Sequence, residues 1–232
     1  DLFAFQNAAL LAEDVPIPAF AEAVGTPFYV FSTATLTRHY TVLTDAMAGH
    51  PHLICYAMKA NSNQAVIAHL ASLGAGMDVV SGGEYARARA AGVPGERIVF
   101  SGVGKTRAEM ELALSGGVRQ VNIESEPEMA LLSKVASDLG VSVPVTVRVN
   151  PDVDAQTHEK IATGKAENKF GIPIARASEV YARAAALPGL EVVGIDVHIG
   201  SQLTALGPFE KAYRKVAELT RQLRAEGHRI AR

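Results

Sequence analysis

The chain has 232 residues, 48% of them hydrophobic and 20% charged, enough for one large α/β domain or two small ones. A formal charge of -2 offers no electrostatic attraction to nucleic acid or an anionic membrane surface. There is no apolar run long enough to span a bilayer, no signal-peptide start, and a single cysteine that excludes an intrachain disulfide, so a cytoplasmic setting is expected.

Cys55 sits in an apolar run and reads as a small buried hydrophobe. Seven His and one Cys include no CxxC or HExxH spacing, so no metal site is expected. Residues 1–23 mix apolar and polar positions, with Pro16 and Pro18 limiting regular structure. Gly25-Thr26-Pro27 breaks the chain before Phe28-Tyr29-Val30-Phe31, which reads as a short strand. Leu36, Tyr40, Leu43 and Met47 then recur at helical spacing, with Ser32 or Thr33 as cap.

Strand–helix units follow at the βαβ interval. Leu53-Ile54-Cys55 leads through Lys59 into the helical pattern Val66, Ile67, Leu70, Leu73. Met77-Asp78-Val79-Val80 precedes a helix over 84–91, and Ile98-Val99-Phe100 precedes one opened by Thr106. Gln120-Val121-Asn122-Ile123 precedes a helix that Gly140 ends. Ser81 with Glu84, Thr106 with Glu109, and Ser125 with Glu128 each have capping-box spacing. Val145-Thr146-Val147-Arg148-Val149 and Val192-Val193-Gly194-Ile195-Asp196-Val197 are the fifth and sixth strands, and a last helix closes near Gly227. Ile230 stands where a seventh strand would begin.

Val- and Ile-rich strands alternating with one-sided helices predict a parallel sheet buried on both faces, as an open doubly wound sheet or a barrel. Residues 151–172 have no apolar periodicity but carry His158, Lys160, Lys165 and Lys169. A loop of that length either reaches over a rim to meet anionic groups or is a solvated connection.

Gly102-Val103-Gly104-Lys105-Thr106 contains a G-K-T, but Val99 stands where the phosphate-binding pattern needs its first glycine. The two glycines fit a tight strand-to-helix turn instead. A stronger signal lies in Lys59, Asp78, Arg148 and His198, each at or near the carboxyl end of a different strand. Taken singly, Asp78 reads as a turn former, Arg148 as an ion-pair partner and His198 as a core residue. In a barrel, all four ends meet at one mouth. A lysine near an arginine gives up its proton more readily, which favours imine chemistry with an aldehyde such as pyridoxal phosphate. A flat imidazole at His198 suits packing against such a ring, and Gly200 and Ser201 suit contact with the cofactor or its phosphate.

Tyr56-Ala57-Met58-Lys59-Ala60-Asn61, Asp78-Val79-Val80-Ser81-Gly82-Gly83-Glu84, Arg148-Val149-Asn150-Pro151, Lys169-Phe170-Gly171 and His198-Ile199-Gly200-Ser201-Gln202 resemble the diaminopimelate decarboxylase family. That family belongs to the alanine-racemase-like, fold-type III pyridoxal-phosphate enzymes. Thr157-His158 and Thr163-Gly164 fit it better than they fit ornithine decarboxylases. The resemblance implies a (β/α)8 TIM-type barrel and decarboxylation of meso-diaminopimelate to L-lysine in a homodimer. It makes Lys59 the covalent anchor of pyridoxal phosphate and the group that returns a proton to the α-carbon. His198 would stack on the ring, Asp78 and Arg148 would set the electrostatics, and Ser201 would lie near the cofactor. The family's glycine-rich phosphate loop, E-P-G-R-like segment and C-terminal β domain are not in the sequence. The expectation is therefore a barrel incomplete at its C-terminal end over residues 32–232, after a segment 1–31 that would pack with the β domain. Such a piece would be close to inactive alone. Alternatives are another fold-type III decarboxylase or racemase, or a non-catalytic pyridoxal-phosphate carrier.

Overall fold

The computed structural model describes residues 2–153 and 170–232. Thr157, His158, Lys160, Thr163, Gly164, Lys165 and Lys169, singled out above, lie outside the described residues. Strands β1 (Phe3–Gln6), β2 (Ala9–Ala12) and β3 (Val15–Pro16) form an antiparallel sheet in that order. Helix α1 (Ile17–Val24) follows at once, with Pro16 as N-cap and Pro18 in its first turn. The prolines expected to limit regular structure start a helix instead, because the N–H a proline lacks there has no intrahelical partner anyway. The strand expected at Phe28-Tyr29-Val30-Phe31 does not form: no described strand pairs with it, and Tyr29 is 90% exposed.

Helix α2 (Thr33–Ala46) is capped by Ser32, whose Oγ accepts from Thr35 N at 3.0 Å and donates to Glu13 at 2.6 Å. The repeating units then run β4 (Cys55–Ala57), α3 (Gln64–Ser72), β5 (Gly76–Val79), α4 (Gly82–Ala90), β6 (Ile98–Phe100), α5 (Arg107–Ser115), β7 (Gln120–Ile123), α6 (Glu126–Leu139) and β8 (Val143–Asn150). Beyond residue 169 come β9 (Ile172–Pro173), α7 (Ala177–Ala186), β10 (Leu190–Asp196) and α8 (Gly207–Ala225). The sequence pattern did not single out α7. Its buried face is Ala177, Val180, Tyr181 and Ala184, and alanines leave little contrast between core and solvent sides.

The main sheet has the order β10-β8-β7-β6-β5-β4, every pair parallel, with β9 added to the end of β8. Chain order and spatial order therefore coincide. A doubly wound sheet reverses direction at a switch point, whereas a barrel does not. At the free edge of β10, Ala231 N and Arg232 N reach Val193 O, and Ile195 N reaches Arg232 O. That is where the sequence puts the start of a further strand.

Helix and sheet share a core in which Met58, Ile67, Met77, Phe100, Met129 and Tyr181 are almost wholly buried. Of the three capping boxes, only Thr106 with Glu109 is reciprocal. Glu84 and Glu128 instead accept from the N–H one residue before their caps, Val80 at 2.8 Å and Glu124 at 3.3 Å. Each carboxylate thereby ties its helix to the end of the preceding strand.

Strand β5 is pressed closely by its neighbours. A Cβ on Gly76 would stand 2.5 Å from Arg97 O and 2.8 Å from Cys55 Sγ. Gly76→Ala is expected to destabilise the fold by about 1–3 kcal/mol, the usual penalty of overpacking, as a lower urea midpoint at unchanged slope.

Candidate cofactor site

Lys59 lies in the short 3₁₀ turn Met58–Ala60 that follows β4. Met58 is fully buried beneath it, so the turn is anchored while the lysine side is exposed. Asp78 is on β5, Arg148 on β8, and His198 and Ser201 follow β10. All five line one cavity of about 310 Å³, with Val80, Ser101, Gly102, Glu124, Phe170 and Asp196 among the other walls. Small-molecule sites begin at about this size. Lys59 follows one edge strand and His198 the other. Six strands spaced about 4.8 Å apart would hold those edges roughly 24 Å apart if flat. Their meeting at one cavity shows that the sheet curls as a barrel wall does.

The electrostatics are built in layers. Arg148 Nη1 donates to both carboxylate oxygens of Glu124, at 3.0 and 2.8 Å, and Glu124 Oε1 also accepts from Gly102 N at 3.2 Å. The Phe170 ring centroid lies 5.8 Å from the guanidinium carbon, a cation–π distance. Below them Lys105 Nζ is buried and donates at 2.7 Å to Gly102 O, Asn122 O and Glu128 Oε1. The G-K-T lysine is thus a structural tie. Gly102 in the same turn has φ +100°, with Val80 Cβ 3.2 Å from any added side chain, so only glycine fits without strain.

Burial holds the His198 imidazolium back, helped by the charges of Arg148 and Lys59, so the ring is neutral near pH 7. Burial also raises Asp78, against the opposing effects of the Ser101 hydrogen bond and Lys59. Asp196 is pushed up to about 6, chiefly by burial, with Arg148 working the other way. Burial takes the Cys55 thiol, on β4, up to about 11, which leaves it unreactive. Among the described residues, Lys59 Nζ makes no hydrogen bond or ion pair, and no His, Cys, Asp and Glu cluster suits a metal.

Reading polar residues at strand ends missed Ser101, Glu124 and Asp196. The same signal marks all three: Ser101 and Glu124 directly follow β6 and β7, and Asp196 closes β10.

A sequential parallel barrel with an exposed lysine and a neutral imidazole at its carboxyl-end mouth defines a class of small-molecule cofactor barrels. Residues 33–231 match the family described as pyridoxal-dependent decarboxylase, pyridoxal binding domain, and the chain belongs to that family. Diaminopimelate decarboxylases of Vibrio cholerae and Pseudomonas aeruginosa are 52% and 53% identical to it over 231 and 227 residues, 99% and 98% of this chain. The chain spans about half, 55%, of the length of those relatives. A crystal structure of the Helicobacter pylori diaminopimelate decarboxylase complexed with L-lysine superposes with a TM-score of 0.89 at 40% identity, over 92% of this chain and 54% of that one.

The residues fit pyridoxal phosphate on chemical grounds. Lys59 offers an amine with no hydrogen bond or ion pair among the described residues, His198 a flat neutral face, and Gly102 and Gly200, both at positive φ, backbone without side chains. The cofactor of the family is pyridoxal phosphate.

Two predictions follow from the buried charges. Lys105→Met strands Glu128 and two carbonyls, and should cost about 3–5 kcal/mol of stability, read by urea denaturation. Asp196 binds its proton more tightly folded (about 6) than unfolded (3.8), so wild-type stability falls as pH rises through that window. Asp196→Asn removes the penalty: it should gain up to about 3 kcal/mol above pH 7 (the difference of 2.2 at about 1.36 kcal/mol per pH unit), and nothing below the unfolded value.

Proposed function

We propose that this chain is the cofactor-binding barrel of a pyridoxal-phosphate enzyme that decarboxylates meso-diaminopimelate to L-lysine. The observation that carries the reading is the convergence of Lys59 and His198, from opposite edges of the sheet, on one cavity. The substrate rests on relatives named for that reaction and on the L-lysine bound to the Helicobacter pylori structure.

When bound, pyridoxal phosphate withdraws the electron pair left on the substrate α-carbon as carbon dioxide departs. Lys59 Nζ would hold the cofactor covalently through its aldehyde and, once displaced from it by the substrate amine, would be free to deliver a proton to that carbon. His198, held toward its neutral form by burial, would offer a flat face to the ring. Asp78 places a carboxylate within electrostatic reach of Lys59. Arg148, fixed by Glu124, keeps its positive charge at the cavity wall, where Ser201 would offer the cofactor a hydroxyl. A cytoplasmic location and a homodimer that completes the site across subunits belong to the same reading, as does a division into residues 1–31 and 32–232. No described helix is long and apolar enough to cross a membrane.

The test uses the polypeptide that carries this chain at the full length of its relatives. Added pyridoxal phosphate should produce a visible absorption band that Lys59→Ala abolishes. Carbon dioxide should be released from meso-diaminopimelate but not from ornithine or arginine, and Lys59→Ala should lower that release at least about a hundredfold, the low end for a lost proton-transfer group. Release from none of the three would exclude the proposed activity, and release from ornithine or arginine would reassign the substrate.

A further inference from the structure

We propose that Ser101, Asn122 and Thr146 are positioning residues, a hydrogen-bond chain across four strands that fixes the Asp78 carboxylate in the cavity it shares with Lys59. This rests on Lys59 being the cofactor's anchor.

The chain starts on β8, where Thr146 Oγ1 donates to Asn122 Oδ1 at 2.7 Å. Gln120 Nε2 donates to the same oxygen at 2.9 Å. Both contacts place the carbonyl end of the Asn122 amide toward Thr146 and Gln120. Its Nδ2 therefore faces Ser101 and donates to Oγ at 3.1 Å. Ser101 has one proton, and it goes to Asp78 Oδ1 at 2.6 Å. Among the described residues this is the one hydrogen bond made to the Asp78 side chain. With Asp78 ionised, every donor in the series points the same way, from Thr146 to Asp78.

The placement is costly unless it serves something. Thr146 is 1% and Asn122 5% exposed, on the sheet face opposite that of their buried strand neighbours Val121, Ile123, Val145 and Val147. Apolar residues would fill that interior without needing partners. The network ends on one titratable group, and that group lines the cavity. Lys59, Lys105, Glu84 and Asp196 also act on Asp78, the lysines favouring its charge and the carboxylates opposing it. Burial opposes it too, so the donor from Ser101 supports an ionised Asp78 against its surroundings. A carboxylate there favours positive charge on the nitrogen of Lys59.

The experiment follows Asp78 directly, by carbon-13 NMR of the carboxyl groups in the full-length, cofactor-free protein, with Asp78→Asn to assign the signal. Ser101→Ala should move the Asp78 titration midpoint upward by the largest amount. Thr146→Val, which keeps the shape, and Asn122→Leu should move it in the same direction, and Thr146→Ser should restore it. Circular dichroism identifies any variant that fails to fold, and the near-isosteric Thr146→Val decides if others do. With pyridoxal phosphate added, the pH at which the lysine-dependent band changes should move downward in the same variants. An unmoved Asp78 midpoint overturns the proposal. Movement in Ser101→Ala alone overturns the relay and leaves an ordinary local hydrogen bond. If the wild type forms no band while the midpoints move as expected, the cofactor reading fails and the hydrogen-bond chain stands.

Discussion

The ammonium group of Lys105 is buried against three acceptors on three segments: the turn after β6, strand β7 and the first turn of α6. Much of the rim depends on that tie. It fixes Gly102, whose N–H reaches Glu124, and Glu124 in turn holds Arg148 in the cavity wall. It also holds the main chain of Asn122, whose side chain leads through Ser101 to Asp78. Glu128, the carboxylate that neutralises Lys105, accepts from Glu124 N as well, so α6 is locked to the strand it follows. One cation in the wall of the barrel thus positions groups on three neighbouring strand ends.

A parallel sheet in chain order makes such a rim possible, because every strand ends on the same side. It also makes the rim expensive. Asp78, Asp196 and His198 are all displaced by burial toward their uncharged forms. Sites assembled for chemistry commonly carry this tension between stability and function. Here it is relieved by specific partners, Ser101 for Asp78 and Glu124 for Arg148, while Lys59 stays without a hydrogen bond among the described residues.

Much of this was legible in the sequence. Strands with β-branched runs, such as Ile98–Phe100 and Gln120–Ile123, fall where the periodicity puts them. Polar residues ending apolar strands located Lys59, Asp78, Arg148 and His198, and all four line the cavity. Partners were harder to see. Glu124 belongs to Arg148 only because β7 and β8 are neighbours, and no spacing along the chain encodes that. Asn122 and Thr146 alternate with apolar residues and look like ordinary strand positions until their inward faces meet at paired register. Helix α7 was hidden by its alanines, and Phe28-Tyr29-Val30-Phe31 by strand-like residues that have no described strand to pair with. The G-K-T was a decoy that the missing glycine at Val99 had already exposed.

The account stands on Lys59 being the group that captures the cofactor. Adding pyridoxal phosphate to the full-length protein, reducing with borohydride and mapping the modified peptide by mass spectrometry tests this most directly. The pyridoxyl mass is predicted on the peptide that carries Lys59, with Lys105 unmodified because its amine is buried and fully engaged. A label on another lysine, or none at all, would contradict the account.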